Sequence, residues 1–247
     1  MYPTAKRKLD LRRQSIYLLP NSFTLAALFS GFYAIVQAMN HRFEYSAVAI
    51  FVAMVLDGMD GRVARMTHTQ SAFGAEFDSL SDMVSFGVAP ALVAYEWMLL
   101  GFGKLGWIVA FIYCAAAALR LARFNTQLEV ADKRFFQGMP SPTAAALVAG
   151  FVWVSLEMEW SGPALRWSAL AITAFAGLTM VSNIRYYSFK ELNVRKTVPF
   201  FVLLPILFVL VAIAASPPVA LFALFVLYGL SGYAHAAWSY FRPAQKA

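Results

Sequence analysis

Charge is scarce in this chain. Lys, Arg, Asp and Glu together make up 13% of its 247 residues, about half the usual fraction of a soluble protein. That scarcity excludes an ordinary soluble domain. With 60% hydrophobic residues and a mean hydropathy of +0.61, the chain is an integral membrane protein. Cysteine is scarcer still: Cys114 is the only one, so no disulfide can form within the chain. Its place inside an apolar run makes it a packing residue. Long polar loops, low-complexity tracts and internal repeats are all missing. Any chemistry must therefore use groups at the membrane surface or within the membrane.

What is present is a series of apolar runs. Those near residues 18–39, 45–66, 73–100, 105–126, 140–158, 164–182, 197–215 and 217–238 are each long enough to cross a bilayer. They predict an all-α, polytopic membrane helix bundle of about eight transmembrane helices. The domain division is a basic cytoplasmic or interfacial segment over 1–17 and one membrane domain over 18–240. The basic start is a topology anchor or an amphipathic helix on anionic lipid. It is not a signal peptide, because the following run is too long and no small-residue cleavage pattern follows it. A count of six spans would require the last two runs to form one re-entrant hairpin, which Ser216, Pro217 and Pro218 permit.

The basic residues test the count. With eight spans, the outer loops hold Arg42, Lys104 and Arg166, and the other 17 of the 20 Lys and Arg lie on the inner side or in adjoining helix ends. That asymmetry places both termini in the cytoplasm and suggests a multi-pass protein of a prokaryotic inner or cell membrane.

Four acids break the apolar pattern. Asp57 and Asp60 fall near the end of the second run, Asp78 and Asp82 near the start of the third. A single Asp at the bilayer centre costs about 2.5–3.5 kcal/mol on insertion scales, and like charges together cost more. Spacings of three and four residues put each pair on one helix face. The two helices are antiparallel, joined by a short turn around Thr67 to Ser71, so the pairs can face each other. Cluster ligands that are all oxygen, with no His or Cys among them, select hard cations such as Mg²⁺ or Mn²⁺. Four carboxylates suffice for two such ions, which could flank a phosphoryl group. Gly61, Ala64 and Gly74 allow close approach of a backbone or a flat ligand. Arg65 can hold phosphate bidentately. A structural ion-pair network and a transporter ion pathway are the alternatives. Four acids face mainly Arg62 and Arg65, an imbalance unlike an ion-pair network, and no repeated halves suggest a transporter.

Asp60, Gly61, Ala64, Arg65, Gly74, Asp78 and Asp82, with Asp57 upstream, match in spacing the motif of the CDP-alcohol phosphotransferase family, which this chain resembles. Further runs narrow the likeness: SDMVSFGVAP (81–90), LRLARFN (119–125), FQGMPSP (136–142) and SNIRYYSFK (182–190). They resemble the membrane-type phosphatidylserine synthases within that family. Met139 departs from the Leu expected there, a volume-conserving change.

The resemblance implies transfer of the phosphatidyl group of CDP-diacylglycerol to L-serine, with release of CMP. The active site would lie at the cytoplasmic ends of helices 2 and 3. Asp57, Asp60 and Asp78 would hold one divalent ion, and Asp57, Asp78 and Asp82 the second. Asp82 would also be the general base. Asn21, Thr24, Gly61, Ala64, Arg65, Ser71 and Gly74 would bind CDP-diacylglycerol. A homodimer is implied as well. The partners are the two substrates and membrane lipids, with no nucleic acid, since the aromatic residues suit lipid-facing belts.

Serine carries a carboxylate, so its pocket needs a cation. Arg120 and Arg123 read either as inner-surface anchors or as carboxylate ligands. Ser141 reads either as an N-cap after Pro140 or as a serine contact. Ser85, Lys133, Arg134, Arg185 and Lys190 are weaker candidates, and His68 could touch a phosphate. A sister transferase making phosphatidylglycerophosphate or an inositol lipid is the alternative activity. Mg²⁺ against Mn²⁺, and direct transfer against a covalent intermediate, stay open at this level.

Overall fold

The computed structural model describes residues 4–67, 69, 71–127, 135–187 and 200–241. His68, Lys133, Arg134 and Lys190 lie outside the described residues. The described fold is all-α apart from two three-residue strands. In chain order come α1 (Thr4–Met39), α2 (Phe43–Met66), α3 (Ala72–Asp82), a π-helical segment (Met83–Val88), α4 (Ala89–Trp97), a 3₁₀ turn (Leu99–Phe102) and α5 (Lys104–Gln127). Then follow β1 (Phe135–Gln137), α6 (Ser141–Glu157), α7 (Pro163–Val181), β2 (Arg185–Tyr187), α8 (Phe200–Ala215) and α9 (Pro217–Phe241). Helix α1 runs without a break through the 17/18 boundary drawn from charge.

Among the described residues, five segments are long and apolar enough to cross a membrane: Leu19–Met39, Ala72–Trp97, Lys104–Thr126, Pro163–Val181 and Pro217–Trp238. The other three apolar runs of the sequence form helices as well. Helices α2 and α6 fall below that length or hydropathy for physical reasons. Helix α2 carries Asp57, Asp60, Arg62 and Arg65 in its last turns. Helix α6 has 17 residues, a length of about 25 Å against a hydrocarbon core of about 30 Å. In α8 the described apolar stretch is Leu203–Ala215, within a run that the sequence begins at residue 197.

Helix α6 is the centre of the bundle. Its residues from Thr143 to Val152 are buried on all sides, as expected of a helix that is apolar all round. Ala144, Ala145 and Ala146 let α2, α4, α7 and α9 close around it. The α1–α2 hairpin closes through His41 in the left-handed region (φ 57°). Asn40 Nδ2 donates to the Val36 carbonyl at 2.8 Å, beside the Asn40 N–H that reaches the same carbonyl at 3.2 Å, and so closes the helix end.

Helix α1 also lies close along the aspartate-bearing helix. Ser81 Oγ donates to the Thr24 carbonyl and Ser85 Oγ to the Ala27 carbonyl, both at 3.1 Å. Gly31 permits this approach: a Cβ there would stand 2.5 Å from Ser85 Oγ and 2.7 Å from Ser85 Cα. Because the nearest obstacle includes backbone, the two helices would have to separate. Gly31→Ala is therefore expected to destabilise the protein by about 1–3 kcal/mol, read as a lowered Tm in detergent. An unchanged Tm would show that the helices do not meet there.

Candidate active site

The site grows from the α2–α3 turn. Thr67 Oγ1 donates to the Val63 carbonyl at 2.8 Å, and Thr69 N–H to the Ala64 carbonyl at 3.0 Å. Both satisfy the end of α2. Ser71 is extended and caps α3, its Oγ accepting from Gly74 N–H at 3.0 Å. This tight reversal returns the chain antiparallel and sets the two aspartate pairs against each other, as their spacing predicts. Carboxylate oxygens of Asp57, Asp60 and Asp78 all lie within 4.8 Å of one another. The Asp57 and Asp82 carboxyl groups are within hydrogen-bonding reach, and the charges of Asp57 and Asp78 act on Asp82.

Such a cluster does not hold itself together. Two like charges about 4 Å apart repel by about 4 kcal/mol at an effective dielectric near 20. Oδ1 of Asp82 is buried and meets no hydrogen-bond donor among the described residues. Asp57 and Asp78 beside it are carboxylates like itself. Ligands that are all carboxylate and crowded together fit a hard divalent cation.

Asp60 is the best anchored of the four. It is 6% exposed, and Thr24 Oγ1 donates to its Oδ2 at 2.7 Å. The Gly61 N–H also bonds Asp60, and the Arg65 charge reaches it. Thr24, which the resemblance assigns to CDP-diacylglycerol binding, is buried and touches this aspartate. Asn21, Ser71 and Gly74 form a corner: a Cβ on Gly74 would meet Ser71 Oγ at 3.1 Å and Asn21 Oδ1 at 3.3 Å. Glycine keeps that corner open. Gly61 and Arg65 adjoin on α2, where a Cβ on Gly61 would stand 3.5 Å from Arg65 Nη1. Ala64 is half-buried beside them.

The second wall comes from α5 and α6. Arg120 is 9% exposed, and its Nη1 donates to Ser141 Oγ at 2.7 Å. Its charge acts on Asp82. Ser141 is the first residue of α6 and caps nothing, because Pro140 occupies the N-cap. The N-cap alternative for Ser141 is thereby corrected. Arg123 and Ser85 are placed differently. Arg123 Nη1 donates to the Val181 carbonyl at 3.4 Å, at the C-terminal end of α7 where a cation suits the helix dipole. Ser85 is fully buried with its hydroxyl on the Ala27 carbonyl, away from any pocket.

Several contributors were not legible beforehand. Asn125 Nδ2 donates to Ser79 Oγ at 2.9 Å, tying α5 to the residue after Asp78. Strands β1 and β2 pair antiparallel, with Phe136 opposite Tyr186 and Gln137 opposite Arg185. Gly138 (φ 78°) turns the chain from β1 into α6, and its N–H donates to the Ile184 carbonyl at 2.8 Å. That clasp fixes where Ser141 begins. Tyr186 secures it, donating to the Gly229 carbonyl at 2.9 Å. Burial pushes the Tyr186 pKa up, so the hydroxyl remains a donor. Only the presence of Asn125 and Tyr186 inside the runs 119–125 and 182–190 hinted at them.

Comparison with known proteins agrees with this geometry. Residues 17–181 match the family model described as CDP-alcohol phosphatidyltransferase, a stretch that holds all four aspartates, Arg120 and Ser141. A Helicobacter pylori protein named CDP-diacylglycerol–serine O-phosphatidyltransferase is 38% identical over 216 residues, covering 87% of this chain and 90% of that protein. Proteins of the same name from Mycobacterium leprae and Methanocaldococcus jannaschii are also similar. The first is 34% identical over 187 residues, covering 74% of this chain and 60% of its own. The second is 43% identical over 138 residues, covering 56% and 61%. The chain belongs to the CDP-alcohol phosphatidyltransferase family.

Proposed function

We propose that this protein transfers the phosphatidyl group of CDP-diacylglycerol to the hydroxyl of L-serine, giving phosphatidylserine and CMP. The observation that carries the reaction class is the gathering of the Asp57, Asp60 and Asp78 oxygens within 4.8 Å, beside an Asp82 oxygen that meets no donor among the described residues. The acceptor is supported by the name shared by the relatives and by a buried cation, Arg120, facing Asp82.

In this reading Asp57, Asp60 and Asp78 would hold one Mg²⁺ or Mn²⁺, and Asp57, Asp78 and Asp82 would hold a second. When bound, such ions neutralise pyrophosphate charge and stabilise the leaving phosphate. The chain's own residues do the rest. Arg65, Gly61 and the Asn21–Ser71–Gly74 corner receive the CDP head group. Arg120, steadied by Ser141, meets the serine carboxylate. Asp82 takes the proton of the serine hydroxyl. The serine oxygen then bonds to the phosphorus of the phosphatidyl group as the bond to CMP breaks. Eight membrane helices with cytoplasmic termini and a cytoplasmic site belong to the same proposal, supported by the inner-side excess of Lys and Arg. A homodimer is supported by the family resemblance.

Purified protein is expected to release CMP only with CDP-diacylglycerol, serine and Mg²⁺ or Mn²⁺ together. Robust release with glycerol 3-phosphate or inositol but not serine would overturn the acceptor.

A further inference from the structure

The helix bearing Asp78 and Asp82 contains a widened turn. Met83–Val88 is π-helical, and Ala89 N–H bonds the Val84 carbonyl five residues back. The sequence supplies the cause. Pro90 has no N–H, and its ring crowds the carbonyl four residues earlier, which is Phe86. Pro90 is fully buried, so no water answers that carbonyl. The hydroxyl of Tyr113 does, donating to the Phe86 carbonyl at 3.0 Å.

Tyr113 is held from both sides. It is 0% exposed, and a Cβ on Gly177 of α7 would meet its Cα at 3.0 Å. Tyr113, Ala117 and Arg120 stand four and three residues apart, so they share one face of α5. Ala117 lies on the widened turn, where a Cβ on Gly87 would meet its Cβ at 3.2 Å. Arg120, one turn further, acts on Asp82. The single face thus carries an anchor at one end and the acceptor-side cation at the other. Wide turns of this kind recur at functional sites.

We infer that Tyr113 is a positioning residue: its hydroxyl on the Phe86 carbonyl sets the register of α5 against the aspartate helix, and so the placing of Arg120 relative to Asp82. This rests on Arg120 serving the acceptor. The donor corner on α1, α2 and α3 does not touch Tyr113, so only the acceptor side depends on it.

The test is steady-state kinetics of the purified full chain, with the acceptor that the unaltered protein uses. Failure of serine there would overturn the proposed activity and not this role. Tyr113→Phe is expected to raise the acceptor KM about tenfold, in line with the cost of sub-ångström to ångström misplacement. The CDP-diacylglycerol KM should stay within about twofold, since its site is not displaced. In a Pro90→Ala background residue 90 regains an N–H for the Phe86 carbonyl, and the Tyr113→Phe penalty should shrink to about twofold. A merely structural role would lower kcat through lost active protein and leave the acceptor KM in place. That result, or an equal penalty in both backgrounds, overturns the inference. Should Tyr113→Phe not survive purification, Gly87→Ala carries the test. It crowds Ala117 and is expected to give the same split, and an unmoved acceptor KM would again decide against the role.

Discussion

Asp82→Asn is expected to lower turnover by about 10²–10⁴-fold, the usual contribution of a general base, while CDP-diacylglycerol still binds. The side chain keeps its size, so the helix should not shift. What changes is the ability to take a proton. Asp82 is suited to that task by its surroundings. Asp57 and Asp78 lie beside it, Arg120 faces it, and its Oδ1 meets no donor among the described residues. Asp60, by contrast, is already committed to Thr24 at 2.7 Å and is poorly placed to accept a proton. The measurements are the rate of CMP release and direct binding of the donor. Near-normal release from Asp82→Asn would remove it from the role of base.

Asp57→Ala carries the second large effect. Asp57 is the carboxylate common to the whole cluster, close to Asp60 and Asp78 and in reach of Asp82. Lewis-acid stabilisation is worth several kcal/mol, and each 1.36 kcal/mol is tenfold in rate, so activity should fall about 10³-fold or more. A second readout does not depend on turnover. Mg²⁺ or Mn²⁺ should raise the Tm of the unaltered protein, because an ion that binds only the folded state stabilises it. Asp57→Ala should abolish that shift. Without added ions it should be no less stable than the unaltered protein, since one repelling charge is gone. A chelator should silence the unaltered enzyme and added cation should restore it. An Asp57→Ala protein that keeps its cation-induced Tm shift would show that the cluster is not the metal site.

The aspartates could be read from the sequence because their arrangement is local. Separations of three and four residues fix a shared helix face whatever else the chain does. Thr67 to Ser71 is too short a link for anything but an antiparallel return. The three carboxylates within 4.8 Å follow from those two facts. Ser71 and Gly74 adjoin the aspartates in the chain for the same reason.

Lateral relations were not legible in this way. The resemblance assigns Thr24 to CDP-diacylglycerol, and only the packing of α1 on α2 shows it as a hydrogen-bond donor to Asp60. Arg123 looked equal to Arg120 as a cation near the inner surface, and Ser85 was a weaker candidate. Only Arg120 combines burial with a place opposite Asp82, whereas Ser85 bonds α1 and Arg123 bonds the end of α7. Residues 135–137 and 185–187 are far apart in the chain, and nothing in either announces the other as its strand partner.

The sequence by itself determined the membrane class, the two aspartate pairs and the all-oxygen chemistry that asks for a hard cation. These depend on composition and on the period of one helix. Tertiary structure decided how Arg120 comes to face Asp82 with Ser141 at its side, and how Tyr113 answers the carbonyl that Pro90 leaves without a donor. Such matters depend on how far one helix slides and turns against another. That is fixed by packing and hydrogen bonds summed over several elements, and no single segment encodes it.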